Sequence, residues 1–392
     1  MRCAKTKIED GYQKGVRRIK TNCLKRNAAM KGEIVAGIVG AGSITSYHVS
    51  GYMKSGVRVE AIADTNVKAA ESRGQQYGIK RVFADYRKML VECPEIDVIS
   101  VCTPNYLHAE IAVDCLKAGK NVLCEKPPAL NPKQTILMKE AAEESGKILM
   151  FDFNNRARPD VQSLFEYVRS GEIGRINSAQ ALWIRRCGIP GFGGWFTQKA
   201  LSGGGPVIDL LHMLDLALYF MDYPDPEWVL AQTFYDFAKD RNFKGPWGIP
   251  DVEKSVVDVE TASHAFIRFK TGQVLFARNS WAEQNKREEV SLTFQGTKAG
   301  GMVKRLFRVD GIDDTALDTC EIYTMENGTP VNKKLLAQID PKMGRERAVV
   351  NFVNTVLGKE EPLNKPEQAV TLMKVIDAIY ESAKTKKPVN IE

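Results

Sequence analysis

The sequence predicts an α/β protein in which a parallel sheet covered by helices on both faces is followed by an α+β unit dominated by an antiparallel sheet. Three observations support this prediction. Between residues 33 and 152, short apolar segments alternate with helical segments of about 10–15 residues, as in a parallel sheet with crossover helices. After Asp152 the apolar segments are longer and alternate in polarity, as half-buried strands do. The 392 residues are enough for two domains.

The predicted strands of the first half are short and rich in β-branched residues. They cover residues 34–39, 57–63, 82–83, 97–102, 121–124 and 148–151. The predicted helices between them cover residues 44–54, 66–77, 108–118 and 132–145. We place the start of this domain at Met30, directly before the first strand, and its end at Asp152.

The second half, residues 153–392, begins with a predicted helix at 159–169. Its predicted strands cover residues 177–186, 228–237, 256–269, 273–281 and 289–294. Glycine-containing turns at Gly272 and Gly328 indicate hairpins. The segment 209–221 is apolar on nearly every side, which is typical of a buried helix. Two further helices are predicted at residues 345–357 and 366–383.

The positive charge of the chain is concentrated at its amino terminus. Residues 1–31 hold ten basic and two acidic residues, whereas the remainder has a net charge of −1. Residues 1–29 lack the apolar core of a secretory signal and contain no serine, unlike a typical transit peptide. We interpret residues 1–29 as a disordered basic extension or as the product of a translation start placed too early.

The composition excludes several classes of partner. A neutral body does not indicate nucleic-acid binding, and no apolar segment approaches the roughly 20 residues of a membrane-spanning helix. The eight cysteines form no C-x-x-C pair, so we expect free thiols in a cytoplasmic protein and no metal site.

A glycine-containing turn lies between the first strand and the first helix. Gly40 permits a tight turn, and Gly42 lets the backbone approach a pyrophosphate at the helix N-terminus, next to Ser43 and Ile44. The sixth position of this motif is normally Gly or Ala but is Thr45 here. The pattern predicts a dinucleotide site.

Asp64 follows the second strand, 22 residues after Gly42. Its carboxylate can accept hydrogen bonds from the ribose hydroxyls of NAD and would repel the 2′-phosphate of NADP. We therefore predict NAD, with NADP less favoured. The alternative is that Asp64 only caps the helix that follows.

Further motifs make the pattern specific. They are Val-Cys-Thr-Pro-Asn at 101–105 with His108, Gly-Lys-Asn-Val at 119–122, Glu-Lys-Pro at 125–127, three glycines at 203–205 before Asp209 and His212, Trp281, and Gly-Thr-Lys at 296–298. From Met30 to Glu392 the chain resembles the glucose-fructose oxidoreductase, inositol dehydrogenase and rhizopine catabolism (Gfo/Idh/MocA) family.

The resemblance implies a Rossmann domain and a carboxy-terminal domain with a large open, mainly antiparallel sheet. It also implies a nicotinamide-dependent dehydrogenase or reductase acting on a secondary hydroxyl or ketone of a sugar, cyclitol or glycoside. The residues expected to contact the cofactor are Gly40, Gly42, Ser43, Ile44, Asp64, Thr103, Pro104, Asn105, His108, Glu125 and Lys126. Two alternatives are a glycosidase that uses bound NAD for transient oxidation and a non-catalytic nucleotide-binding regulator.

Within the resemblance, Lys126 contacts both cofactor and substrate, and His212 is the acid/base. Hydride transfer from a carbinol needs a base for the hydroxyl proton, and Lys126 follows a strand end where parallel sheets place ligands. Asp209, His212 and Asp215 are spaced three apart, which predicts one polar stripe on a buried helix. The alternatives are a surface lysine and a core histidine satisfied by an acid.

The spacing between Asp209 and His212 departs from the family, because two residues separate them instead of three. The apolar residues after His212 fix the helix register, so we expect His212 to keep its place. Asp209 then absorbs the shift and orients Lys126 or His212.

Seven glycines between residues 188 and 205, together with Phe192, Trp195 and Phe196, predict a loop that covers the substrate. The alternative is a mobile surface loop. We expect Trp195 and Arg156 to bind substrate together with Lys126, Asp209 and His212, although ion pairing elsewhere would explain Arg156 equally well. An exposed apolar second face of the sheet would be a liability, so we predict a homodimer or homotetramer.

Overall fold

A computed structural model describes residues 33–253, 256–308 and 318–391. The predicted basic extension and the start of the first domain at Met30 lie outside the described residues. The described chain forms two sheets, one in each predicted half.

The first sheet has six strands in the order β3-β2-β1-β4-β5-β6. All neighbouring strands in it are parallel. The strands are β1 Val35–Val39, β2 Arg58–Ala63, β3 Arg81–Phe83, β4 Val98–Val101, β5 Asn121–Cys124 and β6 Leu149–Phe151. The connecting helices are α1 Thr45–Lys54, α2 Val67–Tyr77, α3 Tyr86–Glu92, α4 His108–Lys117 and α5 Pro132–Ser145.

The strand order places the ligand crevice. The chain reverses direction across the sheet between β1 and β4, and ligands of open parallel sheets bind at the carboxyl ends of strands at such a point. The turn after β1 therefore lies beside the loops that follow β4 and β5.

Asparagine side chains cap two of the helices. Those of Asn66 and Asn131 accept hydrogen bonds from Ala69 N and Gln134 N at the starts of α2 and α5.

The second sheet has nine strands in the order β14-β13-β12-β11-β7-β10-β9-β8-β15. Its neighbours are antiparallel except for β7 and β10, which are parallel. The strands are β7 Ile176–Ile184, β8 Pro226–Phe234, β9 Ala262–Phe269, β10 Val274–Ser280, β11 Glu288–Gly296, β12 Gly300–Phe307, β13 Thr319–Glu326, β14 Thr329–Lys334 and β15 Val389–Asn390. The predicted fold class, an α/β protein with a Rossmann domain and a mainly antiparallel second sheet, is confirmed.

Six α-helices lie in the second half of the described chain. They are α6 Pro159–Arg169, α7 Lys199–Ser202, α8 Pro206–Asp209, α9 His212–Phe220, α10 Arg345–Val356 and α11 Pro366–Thr385. Helix α9 packs on β7 and β11, and α11 packs on β8 and on α5 of the first domain. Since α11 contacts both domains, it fixes the crevice between them.

The structure differs from the predicted elements at several positions. Helix α3 and strand β12 were not predicted, because α3 is short and β12 opens on Gly300 and Gly301. Strand β9 begins at Ala262, later than predicted. The predicted helix 209–221 is two helices, α8 and α9, separated at Leu210 and Leu211.

Two further findings concern membrane-spanning helices and the cysteines. No helix among the described residues is both long and apolar enough to cross a membrane. The six described cysteines are free, and all of them except the half-buried Cys187 are buried.

Candidate active site

The turn between β1 and α1 has the geometry of a nucleotide-binding loop. Gly40 has a φ of +108°, and a Cβ there would lie 2.4 Å from the carbonyl oxygen of Cys102, so only glycine allows β1 and β4 to approach. A Cβ at Gly42 would meet no protein atom within 4 Å, and Ser43 beside it is exposed. The loop is therefore open where a pyrophosphate would approach the start of α1.

Thr45 occupies the sixth position of the motif without disturbing the turn. It is fully buried, and its Oγ1 donates a hydrogen bond of 2.9 Å to the carbonyl oxygen of Gly40. A hydroxyl thus ties the loop to α1 at the position where relatives of this motif use a small residue for close packing.

Asp64 braces the same loop. Its Oδ2 accepts a hydrogen bond of 2.7 Å from Ala41 N, and its Oδ1 accepts one of 2.7 Å from Asn66 N. A carboxylate offers about four lone-pair sites, so acceptor capacity remains for ribose hydroxyls. The alternative in which Asp64 is the helix cap is wrong, because the side chain of Asn66 caps α2.

Sequence reasoning missed Arg73 on α2. Its Nη2 donates to the carbonyl oxygen of Gly42 at 3.2 Å, and its Nε donates to that of Ala41 at 3.4 Å. Arg73 lies within a polar helix, which gave no reason to single it out. A cation therefore lies beside the loop that Asp64 braces.

Two residues predicted to contact the cofactor, Asn105 and His108, form hydrogen bonds to neighbouring loops. Asn105 is buried and donates its Nδ2 hydrogen to the carbonyl oxygen of Ser202 at 2.8 Å. The fully buried ring of His108 lies 2.7 Å from Pro127 O and 2.8 Å from Thr103 O, and burial lowers its pKa. The contact of these two residues with the cofactor stays a prediction. They join loops on which Thr103 and Pro104 remain half-buried at the rim.

Glu125 also faces inward. Its Oε1 lies 3.0 Å from His48 Nε2, and its Oε2 accepts a hydrogen bond of 3.1 Å from Lys126 N. Asp152 Oδ2 lies 3.7 Å from the same histidine nitrogen, and Ser100 Oγ lies 2.9 Å from His48 Nδ1. We call His48, Glu125 and Asp152 the sealed cluster. Glu125 is buried in it, and its contact with the cofactor stays a prediction.

Burial and charge set the protonation of the sealed cluster. Burial raises the pKa of Asp152 well above its usual range, and the neighbouring Glu125 adds to this effect. Burial opposes ionisation of Glu125 as well, but His48 outweighs it and lowers the pKa of Glu125. One donor atom from each of the three residues lies within 4.8 Å of the others, as a metal site would require. The 3.0 Å contact between His48 and Glu125 has hydrogen-bond length, so we interpret the cluster as hydrogen-bonded.

Lys126 joins the two domains at the crevice. Its Nζ donates to Asp209 Oδ1 at 2.9 Å and to the carbonyl oxygen of Asp209 at 3.0 Å, and its side chain is 23% exposed. Asp209 Oδ2 accepts a hydrogen bond of 2.9 Å from Trp281 Nε1. Burial alone would raise the pKa of Asp209, but Lys126 and Arg185 outweigh burial and lower it. Asp209 is therefore an ionised partner that orients Lys126.

His212 lies at the start of α9 with its ring centre 5.7 Å from that of Trp183. Burial lowers its pKa well below the usual value, and the nearby cations Lys126, Arg345 and Arg185 lower it further. Its Nδ1 is buried and has no hydrogen-bond partner among the described residues. The site thus contains a neutral imidazole within the electrostatic reach of Lys126.

The break between α8 and α9 accommodates the shortened spacing. Leu210 has φ −96° and ψ 27°, outside the α-helical region, so Asp209 and His212 end and begin different helices. The predicted polar stripe on one helix is wrong. Asp209 pairs with Lys126, whereas Asp215 pairs with Arg156 away from this contact.

Arg156 is a structural residue. It is 0% exposed, and its guanidinium donates to both carboxylate oxygens of Asp215 at 2.8 and 2.6 Å. It also donates to Leu363 O at 2.7 Å and to Gln368 Oε1 at 2.8 Å. The prediction that Arg156 binds substrate is wrong, and the alternative of ion pairing elsewhere is what the structure shows.

The predicted covering loop packs against a second segment. Trp195 stacks on Phe196 with ring centres 3.9 Å apart, and Phe196 meets the edge of Trp247 at 6.1 Å. A Cβ at Gly191 would lie 2.4 Å from the carbonyl oxygen of Ile249, so the two segments touch backbone to backbone. Trp195 is half-buried in this aromatic group, and Trp247 is a member that the sequence alone did not single out.

Family models decide the assignment. The NAD-binding Rossmann-fold domain of the GFO/IDH/MocA oxidoreductase family matches residues 34–153, and the C-terminal alpha/beta domain of that family matches residues 166–391. The chain belongs to this family. The resemblance inferred from the motifs is thereby confirmed, and the protein is an oxidoreductase with a dinucleotide-binding domain.

Individual relatives match over nearly the whole chain. A D-glucoside 3-dehydrogenase of Escherichia coli (strain K12) is 32% identical over 364 residues, which cover 92% of this chain and 98% of the relative. A myo-inositol 2-dehydrogenase of Thermotoga maritima is 31% identical over 359 residues, which cover 91% of this chain and 98% of the relative. The structure of a levoglucosan dehydrogenase in complex with NADH and L-sorbose has a TM-score of 0.78 at 21% identity and shares the fold over 92% of this chain and 99% of its own.

Proposed function

We propose that the protein is an NAD-preferring dehydrogenase that oxidises one secondary hydroxyl of a sugar glycoside or cyclitol, or reduces the corresponding ketone. The observation that carries this proposal is the arrangement of Lys126 between the dinucleotide loop and the second domain. Lys126 is partly exposed, is held by the ionised Asp209, and lies within the electrostatic reach of a neutral His212.

The residues of the first domain fit a nicotinamide dinucleotide. The loop at Gly40 and Gly42 is open toward the start of α1, and Asp64 keeps acceptor capacity beside it. When bound, the nicotinamide supplies a carbon that accepts a hydride. The remaining requirement, removal of the hydroxyl proton, falls to side chains of this protein.

Lys126 and His212 have different roles in removing the hydroxyl proton. An ammonium has three donors, and Lys126 Nζ uses two contacts on Asp209, so one N–H remains for a substrate oxygen. His212 is neutral and has an unpartnered Nδ1, so it accepts the proton as the hydride leaves. Asp209 positions Lys126 and takes no part in proton transfer.

The substrate class rests on the relatives and on the aromatic walls. Relatives that cover nearly the whole chain include a D-glucoside 3-dehydrogenase and a myo-inositol 2-dehydrogenase. Trp183 lies beside His212, and Trp195 and Trp247 belong to the covering loops. Aromatic faces pack well against the C–H faces of sugar rings, which supports a sugar or cyclitol over an acyclic acid.

The preference for NAD rests on Asp64. Its carboxylate would repel a 2′-phosphate, whereas the half-buried Arg73 offers a cation on the same loop. We expect kcat/KM with NAD to exceed that with NADP by at least tenfold. Asp64→Ala should reduce this ratio by about tenfold, because it removes the repelling charge. Comparison of the two cofactors in both proteins checks this, and a wild-type preference for NADP contradicts it.

The open face of the second sheet supports a homodimer or homotetramer. Trp228, Phe266 and Phe276 form a row of rings on this face, with ring centres 5.5 and 4.9 Å apart. Phe276 is 49% exposed and Leu230 is 45% exposed. We propose that a second copy of the chain covers this row, in a cytoplasmic protein with reduced thiols. Light scattering that shows only monomer at micromolar concentration contradicts the oligomer.

The function is tested by a substrate screen. Purified protein is incubated with NAD and with glucosides, inositols, hexoses and linear polyols, and NADH formation is followed by absorbance. Stoichiometric NADH with a glycoside or cyclitol supports the proposal. Glycoside cleavage without net NADH indicates transient oxidation instead, and tight NAD binding without turnover of any compound indicates a regulator.

A further inference from the structure

Arg185 follows directly after β7 and points along the same wall as the proton-transfer residues. Its Nε donates a hydrogen bond of 3.0 Å to Glu288 Oε1, which also accepts the Nε1–H of Trp183 at 2.8 Å. Its Nη1 lies 4.0 Å from Asp209 Oδ2, beyond hydrogen-bond length. That Nη1 is buried and has no hydrogen-bond partner among the described residues.

Two indoles hold the guanidinium in place. Its central carbon lies 5.2 Å from the ring centre of Trp183 and 4.5 Å from that of Trp247. Trp183 in turn contacts the ring of His212. Arg185 therefore links the covering segment that contains Trp247 to the wall that carries the acid/base.

The charge around Arg185 favours a neutral ligand. Glu288 binds one side of the guanidinium, and the ionised Asp209 lies near the other. An additional carboxylate or phosphate would have to approach these two acids. A hydroxyl meets no such repulsion and satisfies a buried donor that otherwise lacks a partner among the described residues.

We propose that Arg185 Nη1 donates a hydrogen bond to a hydroxyl of a neutral pyranose whose neighbouring carbon is oxidised, and that this contact selects the substrate. The inference rests on the proposed function. It adds a substrate-binding subsite, formed by Trp183, Arg185, Trp247 and Glu288, to the pair Lys126 and His212. The two tryptophans provide faces for the carbons of the sugar ring, and the guanidinium of Arg185 donates a hydrogen bond to one substrate oxygen.

The test combines substitutions with deoxygenated substrates. The wild type, Arg185→Met and Arg185→Lys are assayed with NAD and methyl β-D-glucopyranoside and with its 2-, 4- and 6-deoxy derivatives. Arg186→Met is the matched control, because Arg186 is the adjacent residue and its side chain is exposed. Fluorescence titration with NADH is measured for every variant, so that a folding or cofactor defect is recognised separately.

We expect Arg185→Met to lower kcat/KM for the parent glucoside by about 10–100-fold, since a buried donor to the substrate is lost. For one deoxy derivative, the wild type and Arg185→Met should agree within about threefold, because the contact is already absent. Arg185→Lys should restore less than half of the loss on a logarithmic scale, because its ammonium lacks the fork held between the indoles. NADH binding and the Arg186→Met variant should resemble the wild type.

Three results overturn the inference, and each of them points to a different cause. An equal loss on the parent and on every deoxy derivative shows that Arg185 only supports the fold of the wall, while the proposed function stands. Absence of turnover of the parent and of every compound of the wider screen by the wild type overturns the proposed function and this subsite with it. A larger kcat/KM for methyl glucuronoside than for methyl glucoside would show that the subsite takes an anionic group.

Discussion

Two groups of titratable side chains adjoin each other at residues 125 and 126, and they differ in burial and in the partners they contact. The sealed cluster of His48, Glu125 and Asp152 is buried, and its members contact one another within the first domain. Lys126, the next residue after Glu125, extends into the crevice and binds Asp209 of the second domain. The comparison shows that two adjacent polar residues of one motif face different environments, one the interior of the first domain and the other the crevice.

The difference follows from the direction in which strand β5 ends. Glu125 continues the alternation of the strand and directs its carboxylate toward α1, where His48 lies one turn from the glycine loop. Lys126 points to the opposite side and keeps 23% of its side chain accessible. Substitutions in the sealed cluster should therefore change the free energy of unfolding, and substitution of Lys126 should lower kcat.

The largest effect is expected for Lys126→Met. We predict that kcat falls by about 10²–10⁴, because the substrate oxygen loses its donor during proton transfer. The melting temperature should stay close to that of the wild type, since Asp209 retains Trp281 and the nearby Arg185. Steady-state kinetics and thermal unfolding measure the two quantities, with the exposed Lys117→Met as a control. A loss below tenfold would remove Lys126 from the mechanism.

The second effect concerns Glu125→Ala in the sealed cluster. This change leaves His48 Nε2 and Lys126 N without their carboxylate partner. We expect the free energy of unfolding to fall by about 2–4 kcal/mol, and the folded fraction to keep turnover within about tenfold of the wild type. Chemical denaturation measures the change. Glu110→Ala removes an exposed carboxylate paired with Arg87 and should leave stability unchanged. A turnover loss as large as that of Lys126→Met would abolish the distinction between the two groups.

Some residues of the candidate site can be predicted from the sequence, and others cannot. The glycine loop, Lys126, Asp209 and His212 lie in recognisable motifs, and alternation predicted most strands of both sheets. The sealed cluster was missed because His48 and Glu125 are 77 residues apart, and no local pattern shows that α1 brings them together. Arg156 was misassigned for the same reason, since its partner Asp215 lies 59 residues away.

The break between α8 and α9 shows a different limit. Periodicity treats residues 209–221 as one helix, because every side of the segment is apolar. The structure interrupts it at Leu210, since Asp209 must face Lys126 while the buried face of α9 packs on β7. The break therefore coincides with the contact between Asp209 and Lys126, which local periodicity does not contain.

The third effect is expected for Asp209→Asn. The amide keeps the size of the side chain but loses the charge that pairs with Lys126 and Arg185. We predict a decrease of about tenfold in kcat, smaller than that of Lys126→Met, because Lys126 keeps the carbonyl oxygen of Asp209 as an acceptor. Parallel assays of the two variants at one pH measure the ratio. An Asp209→Asn effect equal to that of Lys126→Met would make Asp209 itself a participant in proton transfer.

The smallest effect, and the one that separates the two groups by pH, is expected for Asp152→Asn. Burial raises the pKa of Asp152, so its carboxyl is protonated in the folded protein at a pH where it is ionised in the unfolded chain. The unfolded state then binds fewer protons, and stability falls as pH rises above about 4, the unfolded value. Asparagine resembles the protonated acid and has no charge to bury, so Asp152→Asn should stabilise the fold by about 1 kcal/mol at pH 8. The difference should vanish toward pH 4. Urea unfolding of both proteins from pH 4 to pH 8 measures it, and a destabilised variant at pH 8 would show that an ionised Asp152 supports His48.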